Sequence, residues 1–89
     1  MRIWCKLFQK NHMIKDIVIE NYDMDISRTA KVYGSLEEAC YEFDLEKPMW
    51  LDKNIREFQR HARTRFAQDN FIEQIDFDYL DFQVIEEDY

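Results

Sequence analysis

An α+β fold, with two helices packed on one face of a mainly antiparallel sheet, is predicted by three features of this 89-residue chain. Apolar residues alternate or run together in β-rich stretches near both ends. Two central segments instead repeat their apolar residues at three- and four-residue steps. The first two β-rich stretches are joined by only a short polar link, "QKNH", which an antiparallel hairpin spans most simply.

The first strand is expected in "RIWCKLF" (Arg2 to Phe8), where Ile3, Cys5 and Leu7 oppose Trp4, Lys6 and Phe8. "MIKDIVIENY" (Met13 to Tyr22) is β-branched with polar punctuation and forms the second. The turn type between them is open, because no glycine is present. From Ser27 the period changes: Thr29, Val32, Tyr33, Leu36, Ala39, Cys40 and Phe43 share one helical face. Asp25 or Ser27 could cap a long helix through Gly34, and Ser35 with Glu38 could cap a shorter one; the apolar face upstream of Gly34 favours the long version. "KPMWL" (Lys47 to Leu51) is expected as a short strand. Asp52 is placed as the cap of a second helix, with Ile55, Phe58, Ala62 and Phe66 inward and regularity weakening near Arg63. "IDFDYLDFQVIEEDY" closes the chain as a strand whose apolar parity shifts, which requires a bulge near Tyr79 or burial on both faces. The expected order is therefore β-β-α-β-α-β.

Length and composition support one core. Eighty-nine residues hold one domain, 1–89, and a chain of this size buries only ~60% of its unfolded surface. Fourteen aromatic residues supply the missing density, because each can bury ~150–250 Å². Charged residues reach 35%, but 46% hydrophobic content opposes disorder. Cys5 and Cys40 are too few and too far apart for a zinc pattern or a disulfide scaffold, so they read as reduced, buried small hydrophobes. No segment has the apolar run of a signal peptide or membrane span, and a cytoplasmic chain without a membrane partner is expected. The acidic end, 86–89, is expected to fray.

Charge is unevenly spread over the net −7. Residues 47–65 carry six basic and two acidic side chains, net +4, whereas 66–89 carry eight acids and no Lys or Arg, net −8. Within the basic block, Lys53, Arg56, Arg60, Arg63 and Arg65 form the candidate anion- or partner-binding set. On a continuous helix the first four fall within an arc of ~80°, opposite the apolar face. The plain explanation is a solvated helix face, its cations drawn to the C-terminus by the macrodipole at ~0.3–1 kcal/mol each. Nucleic acid would also suit such a stripe, but the acidic balance opposes a polyanion and no RNP, GxxG or zinc-finger motif accompanies it. The functional reading preferred here is protein association, with a second copy or another protein, because basic and acidic surfaces on one domain are complementary.

Sites of chemistry are weaker. Asp76 and Asp78 could share a strand face and hold Mg²⁺ or Ca²⁺, but the ligand density of an EF-hand is absent and solvated side chains explain them more simply. No catalytic residue, metal site or cofactor is expected; His61 with Asp52 or Cys40 is the best combination for an enzyme, and nothing in sequence brings them together. Trp4, Trp50 and Tyr41 could line a pocket, although aromatics in so short a chain are more often core. Finally, "WLDKNIREFQRHARTRF" and "QDNFIEQIDFDYL" resemble a group of small uncharacterised cytosolic bacterial proteins over residues 48–80. That resemblance implies no activity, ligand or catalytic residue.

Overall fold

The computed structural model describes residues 1–88; Tyr89, the last residue of the stretch expected to fray, lies outside them. Strand β1 (Arg2–Gln9) turns into β2 (His12–Glu20), helix α1 (Arg28–Glu42) follows, then α2 (Asp52–His61), β3 (Arg63–Phe66), a 3-10 turn (Gln68–Asn70) and β4 (Tyr79–Glu86). The four strands form one antiparallel sheet in the order β2-β1-β4-β3. The α+β class and the one-sided helical layer hold, but the element order is β-β-α-α-β-β.

The difference lies in one strand. Lys47 to Leu51 is extended but does not enter the sheet; Met49 instead exchanges two bonds with Asn70, its N–H donating to the Asn70 carbonyl at 2.7 Å and its carbonyl accepting from Asn70 Nδ2 at 2.7 Å. The edge position belongs to Arg63–Phe66, which was expected to continue the second helix. Ala62 adopts a left-handed conformation (φ 53°, ψ 33°) that stops α2, and the chain turns directly into β3. The parity conflict near Tyr79 disappears for a related reason. Ile75 and Phe77 precede β4, and the strand proper directs Leu80, Phe82 and Val84 to the core.

Local chemistry accounts for the other boundaries. Lys10 and Asn11, both at positive φ (51° and 66°), make a two-residue hairpin turn of the type that matches strand twist. Ser27 caps α1 by accepting the Ala30 N–H at 3.1 Å, which selects the long helix. Asp44 (φ 58°) closes it, the Leu45 N–H reaching the Cys40 carbonyl at 2.8 Å in a Schellman arrangement.

Ile3, Cys5, Leu7, Phe66, Leu80 and Phe82 line the sheet's covered face, and Val32, Leu36, Ala39, Cys40 and Phe58 pack down on it from the helices. Trp50 fills the space between the helices. Its ring is edge-to-face with Tyr33, Phe58, Phe66 and Phe82 at centroid distances of 5.0–6.1 Å. Its buried Nε1 has no hydrogen-bond acceptor among the described residues.

The other face of the sheet carries no helix among the described residues and is closed by a ladder of rings and charges. Asp81, fully buried, accepts a forked bond from Arg63 and lies 3.6 Å from the Lys6 ammonium. Lys6 in turn sits 3.9 Å over the Trp4 ring, whose Nε1 donates to Asp16 at 2.9 Å. At the far end Phe8 stacks on Tyr79 at 5.1 Å, and the Arg65 guanidinium lies 4.5 Å from the same tyrosine ring.

The described part of the C-terminal stretch makes ion pairs with α1 and the amino terminus. Glu87 takes two bonds from Arg28, at 3.0 and 2.8 Å, and Asp88 reaches both buried Lys31 and the Met1 amino group at 2.6 Å. Arg28 holds the Glu87 carboxyl below the usual range, and Lys31, followed by the amino terminus, does the same for Asp88.

Candidate association surface on the helical layer

Leu51, not the expected Asp52, is the N-cap of α2, and the helix start is fixed by Asn54. The Asn54 Oδ1 accepts the Leu51 N–H at 3.1 Å and an Asn70 Nδ2 hydrogen at 2.7 Å, while its Nδ2 donates to Thr64 Oγ1 and the Arg65 carbonyl, both at 2.9 Å. All four amide positions are therefore used in a fully buried side chain. The network ties the preceding loop, α2, β3 and the 3-10 turn into one unit. With Asn54 and Phe58 directed inward, Lys53, Arg56 and Arg60 must point out.

These three cations share the outer side of α2, around a shallow concavity that Glu57 and His61 complete. Among the described residues, none of the three lies within ion-pairing distance of a carboxylate. Arg63 and Arg65, grouped with them by sequence spacing, are elsewhere. Both belong to β3 and face the ladder side of the sheet, where Arg63 is committed to Asp81 and Arg65 to Tyr79. The five-residue set is thus two sets, divided by the left-handed turn at Ala62. The chain's acidic block does not neutralise the helical set; of its members, Asp81 pairs with Arg63 and Lys6 only.

Acidic side chains gather on the neighbouring helix and loops. Glu37, Glu38 and Glu42 are exposed on α1, and Asp44, Glu46, Glu73 and Asp76 border a second shallow concavity. Between the helices runs a groove of about 230 Å³ lined by Arg28, Thr29, Val32 and Tyr33 on one bank, Ile55 and Gln59 on the other, and Trp50 and Phe58 within it. The helical layer therefore carries acids on the C-terminal half of α1, a groove beside its N-terminal half, and the three cations on the outer side of α2. Such a surface can recognise shape and charge.

The candidate chemical sites are not assembled. His61 stands at the C-terminal end of α2 and Asp52 at its start, while Cys40 is buried in α1. Burial pushes the Cys40 thiol up to about 11, and burial, with Cys40 and Asp81 nearby, pushes Cys5 up to about 12, so both cysteines are protonated, inert and free. Asp76 and Asp78 precede β4 rather than sharing its face, and Asp78 accepts the Lys10 N–H at 2.8 Å, bracing the hairpin turn. On the ladder side, Tyr79 already has Phe8 and Arg65 as neighbours and Trp4 has Lys6, which leaves little free ring face for a nucleobase. The Asn54–Asn70–Thr64 network is not legible in the sequence, because Leu51 at the cap and Asn54 at the third position do not match the Ser/Thr–Glu/Gln pattern of a capping box.

No family model, curated protein or solved structure matches the chain. Among the described residues no helix is long and apolar enough to cross a membrane.

Proposed function

We propose that the protein is a small cytoplasmic association domain that binds an acidic protein surface through Lys53, Arg56 and Arg60. The observation that carries this reading is that all three cations stand on one side of α2 without a carboxylate partner among the described residues. Like charges at Arg56 and Arg60, four residues apart, cost a few tenths of a kcal/mol in an isolated helix. An incoming carboxylate surface relieves that repulsion and steers encounter. The chain's overall negative charge disfavours a polyanion of nucleic acid at long range, whereas a protein partner need match only the local field.

The test compares the wild type with Arg56→Glu/Arg60→Glu, as bait in cell extract at low salt and as purified protein in self-association. The reading predicts at least one protein, self included, whose binding falls about tenfold or more on charge reversal, the equivalent of ~1.4 kcal/mol. Identical captured proteins for both forms, together with a monomeric purified protein, overturn it. So does captured material that nuclease releases.

A further inference from the structure

The two edges of the sheet are finished differently. Edge strand β3 has four residues, and its Arg65 carbonyl takes a hydrogen from Asn54 Nδ2 at 2.9 Å. Edge strand β2 has nine residues and pairs with β1 alone. Which of its backbone groups face outward follows from the first pair of the ladder. The Met1 amino group donates to the Asn21 carbonyl and the Asn21 N–H to the Met1 carbonyl, both at 2.9 Å. Such mutually bonded pairs recur at every second residue of an antiparallel ladder. Along the register, Ile19, Ile17 and Lys15 therefore turn their N–H and C=O groups to β1, whereas Glu20, Val18 and Asp16 turn theirs outward. None of these outward backbone groups has a hydrogen-bond partner among the described residues. Natural edges are blunted by shortness, by proline or by a covering segment, and β2 has none of the three.

Side chains along this edge define the chemistry of a partner. Asp16, Val18 and Glu20 lie on the face opposite the helices, with an acid at each end, while Ile17 and Ile19 join the core on the helical face. Strand β1 displays what pairs with that pattern. Arg2 stands opposite Glu20 and Lys6 opposite Asp16, with Ile3 and Cys5 opposite Ile19 and Ile17. Its order is basic, apolar, any residue, apolar, basic.

We infer that the free edge of β2 takes an extended segment of another protein with that same order, added to the sheet as a fifth strand. Main-chain bonds to Asp16, Val18 and Glu20 hold it, its cations meet the carboxylates of Asp16 and Glu20, and its apolar side chains extend the core beyond Ile17 and Ile19. The net charge of −7 steers a basic segment toward the domain. A second copy of β2 lacks this match: two-fold registers centred on Asp16 or Val18 set acid against acid, and one centred on Ile17 gives neither acid a cation. The contact uses the sheet edge and is independent of the cations on α2.

The test is an amide-resolved nuclear magnetic resonance titration of the full chain with the capped peptide Thr-Arg-Ile-Thr-Val-Lys-Thr and with its counterpart carrying Glu in place of Arg and Lys. Wild type is expected to bind the basic peptide saturably, with shifts centred on β2 and slowed exchange of the Asp16, Val18 and Glu20 N–H groups, and the acidic one at least tenfold more weakly. Val18→Pro removes one outward N–H and no ladder bond, a change that an edge strand accepts, and should weaken binding about tenfold while the shifts of β1 and β4 report an intact sheet. Glu20→Lys leaves the backbone unaltered and should narrow the preference between the two peptides. Absence of β2 shifts up to about 1 mM basic peptide, equal binding of both peptides, or a folded Val18→Pro protein that binds like wild type overturns the inference. So do β2 shifts that depend on protein concentration without peptide, which assign the edge to a second copy. Each of these outcomes leaves the reading of Lys53, Arg56 and Arg60 standing.

Discussion

Asp81 accepts from Arg63 in a forked pair while Lys6, only 6% exposed, approaches from the neighbouring strand. Removing Asp81 leaves the buried Lys6 ammonium without its carboxylate, whereas the 42%-exposed Arg63 returns to solvent. Asp81→Ala should therefore cost about 3–5 kcal/mol by chemical denaturation; a loss below ~1 kcal/mol would mean that Lys6 escapes to solvent. Backbone strain predicts changes of the opposite sign. Ala62 carries its Cβ at φ 53°, a conformation that costs ~1–2 kcal/mol outside glycine, so Ala62→Gly should stabilise by about 1 kcal/mol. Gly34→Ala should add about 0.5–1 kcal/mol to the monomer, because the new methyl meets open space and removes helix-interior entropy. Both are read as denaturation midpoints at unchanged slope. None of these three positions could be ranked from sequence. Asp81 looks like one of several outward acids, and the φ of Ala62 is set by the sharp entry into β3.

At the scale of elements, the Asn54–Asn70–Thr64 network decides where α2 starts and why Lys47 to Leu51 stays out of the sheet. Asn54→Ala removes four hydrogen bonds from a fully buried site and should cost about 3 kcal/mol. In a double-mutant cycle with Asn70→Ala the two losses should be far from additive, since they share a bond. The elements with strong periodicity, β1, β2 and α1, were readable because their apolar residues match a single period. The segment 47–51 is ambiguous in sequence because a Pro-led apolar run suits an edge strand as well as an extended loop. The end of the second helix is hidden in sequence because Ala62 and Phe66 continue its apolar spacing, although Phe66 reaches the core from a strand.

The C-terminal stretch makes a pH prediction at the same scale. Arg28 depresses the Glu87 carboxyl, and Lys31 with the amino terminus depresses Asp88, in the folded state. A depressed carboxylate contributes stability that is present above its unfolded value, about 4, and is lost as pH falls through the lower folded value. Amide exchange of Ile85 to Glu87 should therefore stay protected at neutral pH and open on acidification below about 4, ahead of β1. Protection that is unchanged down to the acid unfolding of β1 would contradict the assignment.

Taken whole, the molecule places acidic and basic helical crests on one side of a sheet and seals the other side with side chains alone. The separation of charge was visible in the sequence as a net +4 block followed by a net −8 block. Its spatial form was not, because the turn at Ala62 carries Arg63 and Arg65 to the opposite face and leaves Lys53, Arg56 and Arg60 as the set without a carboxylate partner among the described residues. Electrostatic association of this kind weakens with salt, because exposed charges are screened beyond ~10 Å at ordinary ionic strength. The most direct measurement is the binding of protein, self included, by wild type and by Arg56→Glu/Arg60→Glu at low and high salt. The account predicts that wild type holds at least one protein at low salt and releases it at high salt, while the variant binds it about tenfold more weakly. Identical binding by the two forms at low salt would contradict the role given to α2, and binding that high salt leaves unchanged would contradict its electrostatic origin.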